Sequence, residues 1–203
     1  MVQVDTAKLF EDAAGGDPKA LGALLQAYLP HLHAFVSTSL GPNLEPRESS
    51  MDVVQSVCRQ ILSARKVADL DGEDHFRAWL FKCALNKVRD KHRFHRVARR
   101  NIGREVPSPE QDAPSSFVHL MTPSQDAVGK ETADALSAAL AALPPEHSEV
   151  IRLARLNGLP HAVIAEVMDR SEPAVRQLLG RALFRLTQEL RARGVVFERG
   201  RSP

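Results

Sequence analysis

Four polar residues, Lys82, Asn86, Arg89 and Arg93, recur at i, +4, +7 and +11 in the stretch FRAWLFKCALNKVRDKHR that begins at Phe76. On a helix this spacing draws one line along the surface. The line holds only positive and hydrogen-bonding groups, which is what following a phosphate backbone requires. The basic run continues through Arg96, Arg99, Arg100 and Arg104. A second set, Arg176, Gln177 and Arg181 with Gly180 and Arg185 beside them, stands opposite an apolar stripe of Val175, Leu178, Leu179, Ala182, Leu183 and Leu186. A face with these groups and no carboxylate suits a DNA groove. A third polar group, Asp52, Gln55, Ser56 and Arg59, falls on the outer side of a helix expected over 50–64, whose inner side is Val54, Cys58, Ile61 and Leu62.

Catalysis finds little support in the same chain. Paired carboxylates on a basic surface, a His-Glu-x-x-His motif and a phosphate-binding glycine loop are all missing from the sequence, and Asp90 alone cannot assemble a metal centre. The protein is therefore expected not to be an enzyme and to need no cofactor. His31 and His33 fall on different helical faces, so a shared metal is not expected. Cys58 and Cys83 lie far apart in apolar helical patterns and read as buried thiols, not as a disulfide or a zinc site.

The elements that must position these groups are all helical. Asp17-Pro18 opens a core helix with apolar residues Leu21, Leu24, Leu25, Tyr28, Leu29, Leu32, Phe35 and Val36, bent at Pro30. From Phe76 to about Arg93, one face carries Phe76, Trp79, Leu80, Cys83 and Ala84 and another carries Phe81, Leu85 and Val88. Two packed faces leave the basic line pointing outward. Residues Leu159 to Leu186 read as two helices joined by the turn Asp169-Arg170-Ser171, the outline of a helix-turn-helix. Ser171 stands at the N-cap, with Glu172 and Pro173 in the first turn. Charge separates the modules. Residues 76–104 carry ten Lys and Arg against one acid, and 143–203 carry ten against seven, whereas 1–75 and 105–142 are acidic. The overall +2 thus hides two basic segments, which implies a polyanion touched at two places. The fold class expected is all-α: two small helical domains, 1–100 and 132–203, joined by a flexible linker over 101–131 that holds Pro107, Pro109, Pro114 and Pro123. The tail from Gly194 to Pro203 is expected to fray. With no membrane-length apolar run and no signal peptide over Met1–Phe10, a cytoplasmic location without membrane insertion is expected.

Three constellations in this order resemble the extracytoplasmic-function (ECF) class of RNA polymerase sigma factors. Asp52-Val53-Val54-Gln55 is similar to the region 2 helix that binds the clamp helices of the largest polymerase subunit. Phe76-x-x-Trp79-Leu80-Phe81-x-x-Ala84-x-Asn86, followed by Asp90 and Arg93, looks like the segment that opens and reads the minus-ten element. Leu143-Pro144, Val150, Leu153, Gly158, Ile164-Ala165, Val175 and Arg181-Ala182 are similar to region 4, which reads the minus-thirty-five element. The likeness covers roughly Asp17 to Arg100 and Thr132 to Leu190.

The resemblance implies a promoter-specificity subunit with core polymerase and promoter DNA as partners. Asn86 would line the pocket for a flipped base, with Lys82, Arg89 and Arg93 on nearby backbone; Arg176, Gln177 and Arg181 would contact the upstream element. Asp52 and Gln55 would contact the clamp helices, and Leu143 to Arg155 would belong to the module docking on the flap of the second-largest subunit. An anti-sigma factor is a further candidate partner. The linker would thread polymerase channels near the active site, with an inert tether as the other reading. Some positions depart from the family pattern: Ser56 stands where a glutamate is common, Leu70 where an aromatic is common before the loop Asp71 to His75, Pro160 where a hydroxyl cap is usual, Val163 where an acid is common and Gly180 where a larger residue is usual. The alternative is a free-standing helix-turn-helix regulator that does not bind polymerase. It calls for an amphipathic dimerisation helix, where the N-terminal half offers the Trp79 to Arg93 pattern instead.

Overall fold

The computed structural model describes residues 5–41, 49–64, 66–101 and 126–195, without the side chains of 96–101 and 126–133. Among the described residues every regular element is a helix or helical turn. The expected tail from residue 196 onward and most of the expected linker lie outside them.

The first half is a bundle of four helices. A helix not anticipated from the pattern, α1 (Thr6–Ala14), is capped by Asp5 and buries Phe10 and Ala13. In α2 (Pro18–Leu40) the Asp17 carboxylate accepts the Lys19 N–H at 2.8 Å, and Pro18 occupies the first turn, where its missing N–H costs nothing. The helix continues through Pro30, and neighbouring Leu29, expected inside, is 36% exposed. In α3 (Ser50–Ser63) the buried positions are Val53, Val54, Val57 and Ile61. Leu62 was expected on this stripe but is exposed: one residue past Ile61 rotates it about 100° onto the outer face. Cys58 is only half-buried, for a similar reason.

A 3-10 turn (Val67–Asp69) and a bend at Gly72 lead into α4 (Glu73–Asn101). The loop expected over Asp71 to His75 is thus only two residues long before the helix begins. Phe76 is fully buried amid Tyr28, Phe10 and Trp79, with ring centroids at 6.1, 6.2 and 6.3 Å. Phe81 meets Phe35 edge-on at 5.5 Å. Burying each such ring contributes about 1.5–3 kcal/mol, so these contacts hold α4 against α1 and α2 along both apolar faces.

In the second half, α5 (Asp126–Ala142) begins six residues before the boundary expected at 132. It is followed by α6 (Pro145–Ile151) and a π-helical turn (Arg152–Leu156), which ends where the Asn157 side chain donates to the Arg152 carbonyl at 2.9 Å. Then come α7 (His161–Met168) and α8 (Glu172–Ala192). Pro160 caps α7 without a side-chain hydrogen bond, whereas the Ser171 hydroxyl accepts the Ala174 N–H at the start of α8. The expected stripe of α8 is inside: Val175, Leu178, Leu179, Ala182 and Leu186 are buried and Leu183 is partly so. The two halves touch. α7 packs on α4, the π turn reaches α2, and the buried side chains of both halves join in one apolar cluster.

Candidate nucleic-acid interface

Two apolar faces fix the rotation of α4, so Lys82, Asn86, Arg89 and Arg93 emerge together on its remaining side. Asn86, Arg89 and Arg93 are exposed and Lys82 is half-buried. The remaining arginines of the run, Arg96, Arg99, Arg100 and Arg104, have side chains outside the described residues. The sequence pattern suggested a line of one sign pointing into solvent, and here the structure differs. Acidic residues of the second half neutralise much of it. Arg89 grips Glu149 with two hydrogen bonds, Nε to Oε1 at 3.0 Å and Nη2 to Oε2 at 2.6 Å. Lys82 pairs with Asp169 and also donates to the Glu166 carbonyl at 3.4 Å. His75, one turn before Trp79, places Nε2 3.1 Å from Glu166 while its Nδ1 lies 2.6 Å from the Asp71 carbonyl.

These pairs differ in strength. His75–Glu166 and Lys82–Asp169 are exposed enough for water and salt to screen them, so each contributes about 0–1 kcal/mol. Arg89–Glu149 is firmer: the guanidinium fork matches the carboxylate, whose side chain is only 10% exposed. That bond pushes the Arg89 pKa above its ordinary value, against some burial. Glu149 also faces Arg152, a buried guanidinium whose Nε has no partner and whose pKa is pushed down to about 10 by burial, with Glu149 opposing the shift. The His75 pKa is raised, first by its hydrogen bond to the Asp71 carbonyl; desolvation opposes that rise, and Glu166, Asp71 and Asp74 add to it.

Two cavities flank the junction. One of about 490 Å³ lies between the start of α4 and α7, with Leu70, Asp71, His75, Trp79 and Lys82 on one wall and Glu166 and Asp169 on the other. Another of about 650 Å³ runs beside Arg89, His92 and Arg93 toward Leu140, Glu149 and Arg152. Asn86 lines neither. Sequence reasoning missed Glu149, Glu166, Asp169 and His75, because the pairs join residues 60 to 91 positions apart.

On α8, Arg176, Gln177, Gly180 and Arg181 are exposed on one face as expected, with Arg185 alongside. The face is not free of carboxylates: Glu172 lies 3.3 Å from Arg176, an i,i+4 pair. Arg181 Nε donates to the Gln177 carbonyl at 3.4 Å, and the space beside Gly180 is open. The turn before α8 is tightened by Asp169, whose backbone is left-handed at φ 53°. On α3, Asp52 and Gln55 are exposed, in line with Met51 and Leu62.

The α4 and α8 surfaces lie in segments that match known family models: residues 24–98 match sigma-70 region 2 and residues 133–186 match sigma-70 region 4. The chain is 30% identical to the RNA polymerase sigma factor CnrH of Cupriavidus metallidurans over 91% of its own length and 93% of that protein's. It is 28% identical to the ECF sigma factor SigD of Mycobacterium tuberculosis over 90% and 82% of the two chains. The solved structure of CnrH in complex with the cytosolic domain of CnrY superposes with a TM-score of 0.62 at 26% identity, covering 93% of this chain and 99% of that one. The chain belongs to the ECF class of RNA polymerase sigma factors, the subunits that direct core polymerase to promoters and assist strand opening. Among the described residues no helix is long and apolar enough to cross a membrane.

Proposed function

We propose that this sigma factor reads promoters with two modules, 1–100 and 132–203, tethered by 101–131, with the roles divided among the residues singled out above. Lys82, Arg89 and Arg93 hold the DNA backbone at the minus-ten element and Asn86 captures an unpaired base, offsetting a local unpairing that costs a few kcal/mol. Arg176, Gln177 and Arg181 contact the minus-thirty-five element. Asp52 and Gln55, exposed beside Met51 and Leu62, meet the clamp helices of the largest core subunit, and the α6 region meets the flap of the second-largest. The observation carrying this reading is the rigid presentation of one polar line on α4 by two buried faces, with a second such face on α8. The protein works in the cytoplasm as a binding subunit and not as an enzyme. An anti-sigma factor is a partner by analogy with CnrH, which was solved with CnrY bound.

The test is transcription by bacterial core polymerase with and without the protein on candidate promoter templates. Protein-dependent strand opening is expected. Asn86→Ala should reduce opening while leaving core binding intact, and equal loss of both would refute the role given to Asn86.

A further inference from the structure

Two of the five buried side-chain polar atoms that lack a hydrogen-bond partner among the described residues, Ser39 Oγ and Arg152 Nε, belong to residues lining one cavity, that of about 650 Å³. Ser39 lies near the end of α2, and Arg152 opens the π-helical turn that packs on that helix. Both are buried, at 7% and 8% exposure. Arg152 keeps its proton at neutral pH, since burial brings its pKa down only to about 10. A buried guanidinium with an unused donor is costly. The nearby acids are already engaged: Arg89 takes both carboxylate oxygens of Glu149, and Glu146 pairs with Arg170, which is not part of the lining. Three guanidinium groups of the lining, Arg89, Arg93 and Arg152, thus face two satisfied carboxylates, and the surplus is positive. The rest of the wall is largely hydrocarbon.

We propose that this cavity binds a small amphipathic carboxylate, an aliphatic or aryl acid whose head group takes the Arg152 guanidinium and the Ser39 hydroxyl while its apolar body lies along Leu40, Leu85, Val88, Leu140 and Leu143. A planar carboxylate matches the fork of Arg152 as Glu149 matches that of Arg89. A phosphate, with three oxygens and more charge, calls for more donors than these two groups offer. A water molecule satisfies the hydrogen bond but leaves the charge uncompensated. The volume falls within the roughly 300–1,000 Å³ of small-molecule sites. One wall comes from α2 and α4 and the other from α5, α6 and the π turn, so the acid ties its concentration to the docking of the two halves.

The test is calorimetric titration of the full chain with sodium octanoate at neutral pH and fixed salt, with 1-octanol, sodium acetate and inorganic phosphate titrated alongside. One octanoate per chain should bind, and the other three at least about tenfold more weakly, since each lacks either the charge or the chain. Arg152→Gln should weaken octanoate about tenfold, and Ser39→Ala about threefold with an unchanged urea midpoint, because that hydroxyl has no partner to lose. Ala141→Trp, at an exposed position of the lining, fills the cavity from its rim and should abolish binding, which keeps the test decisive should Arg152→Gln fail to fold. Octanoate that does not bind at millimolar concentration, octanol or phosphate that binds as tightly, or octanoate affinity unaltered by Ala141→Trp would each overturn the assignment.

Discussion

Replacing Phe76 with alanine tests whether the basic line of α4 is held by the packing beneath it. The ring is fully buried, with three other aromatic rings centred 6.1 to 6.3 Å away. Truncating a buried Phe costs about 3–5 kcal/mol, and each aromatic pair adds about 0.5–1.5 kcal/mol beyond its area, so the upper half of that range is expected. Against a typical domain stability of about 5–15 kcal/mol this is a large fraction. The chain contains one tryptophan, Trp79, which touches Phe76, so its fluorescence follows unfolding of this half selectively. In urea, with a slope of about 1–3 kcal/mol per molar, the midpoint should fall by about 1 M or more. Phe184→Ala, at a position 67% exposed, should stay within about 0.5 kcal/mol of the parent. A loss below about 1 kcal/mol for Phe76→Ala would refute the claim that this cluster fixes α4.

Two further outcomes follow from charge. Arg181→Ala should weaken duplex binding and flatten its salt dependence by about 0.9 in log–log slope, one phosphate's worth, as read by anisotropy across a salt series; an unchanged slope would place Arg181 off the DNA. His75 has its pKa raised, by the Asp71 carbonyl first and Glu166 next, with Asp74 also acting and Lys82 and Asp169 close by in the same cleft. Asp71 and Asp74 lie in the same half as His75, so only the part of the rise owed to Glu166 couples its protonation to docking of the two halves; that contribution is present at low pH and fades as pH rises through the raised value. The chain should therefore scatter as a more compact particle at pH 6 than at pH 8, and His75→Gln should erase the difference. A trend in the opposite direction would sink the assignment.

The parts of this structure that the sequence reveals are those whose signal is local. The stripes of α4 and α8 come from spacings of three and four, and the Ser171 cap from adjacent residues, so both could be placed without coordinates. Errors arise where periodicity is read one residue too far, as with Leu62, or where an i,i+4 neighbour is overlooked, as with Glu172 beside Arg176. The start of α5 at Asp126 carries no such local signal, since Val128, Gly129 and Thr132 in its first turns are weak helix formers. The partners of Lys82, Arg89 and His75 are a different matter. Nothing in spacing or composition ties Glu149 to Arg89 across 60 positions, because only the docking of the second half against the first brings them together.

Asp169 sits at the elbow of the helix-turn-helix in a backbone state that glycine adopts freely and aspartate only at some conformational expense. Its carboxylate offsets that strain through Lys82 while the halves are together. The angle at which α7 delivers the reading helix is thus tied, through one side chain, to the seating of α7 on α4.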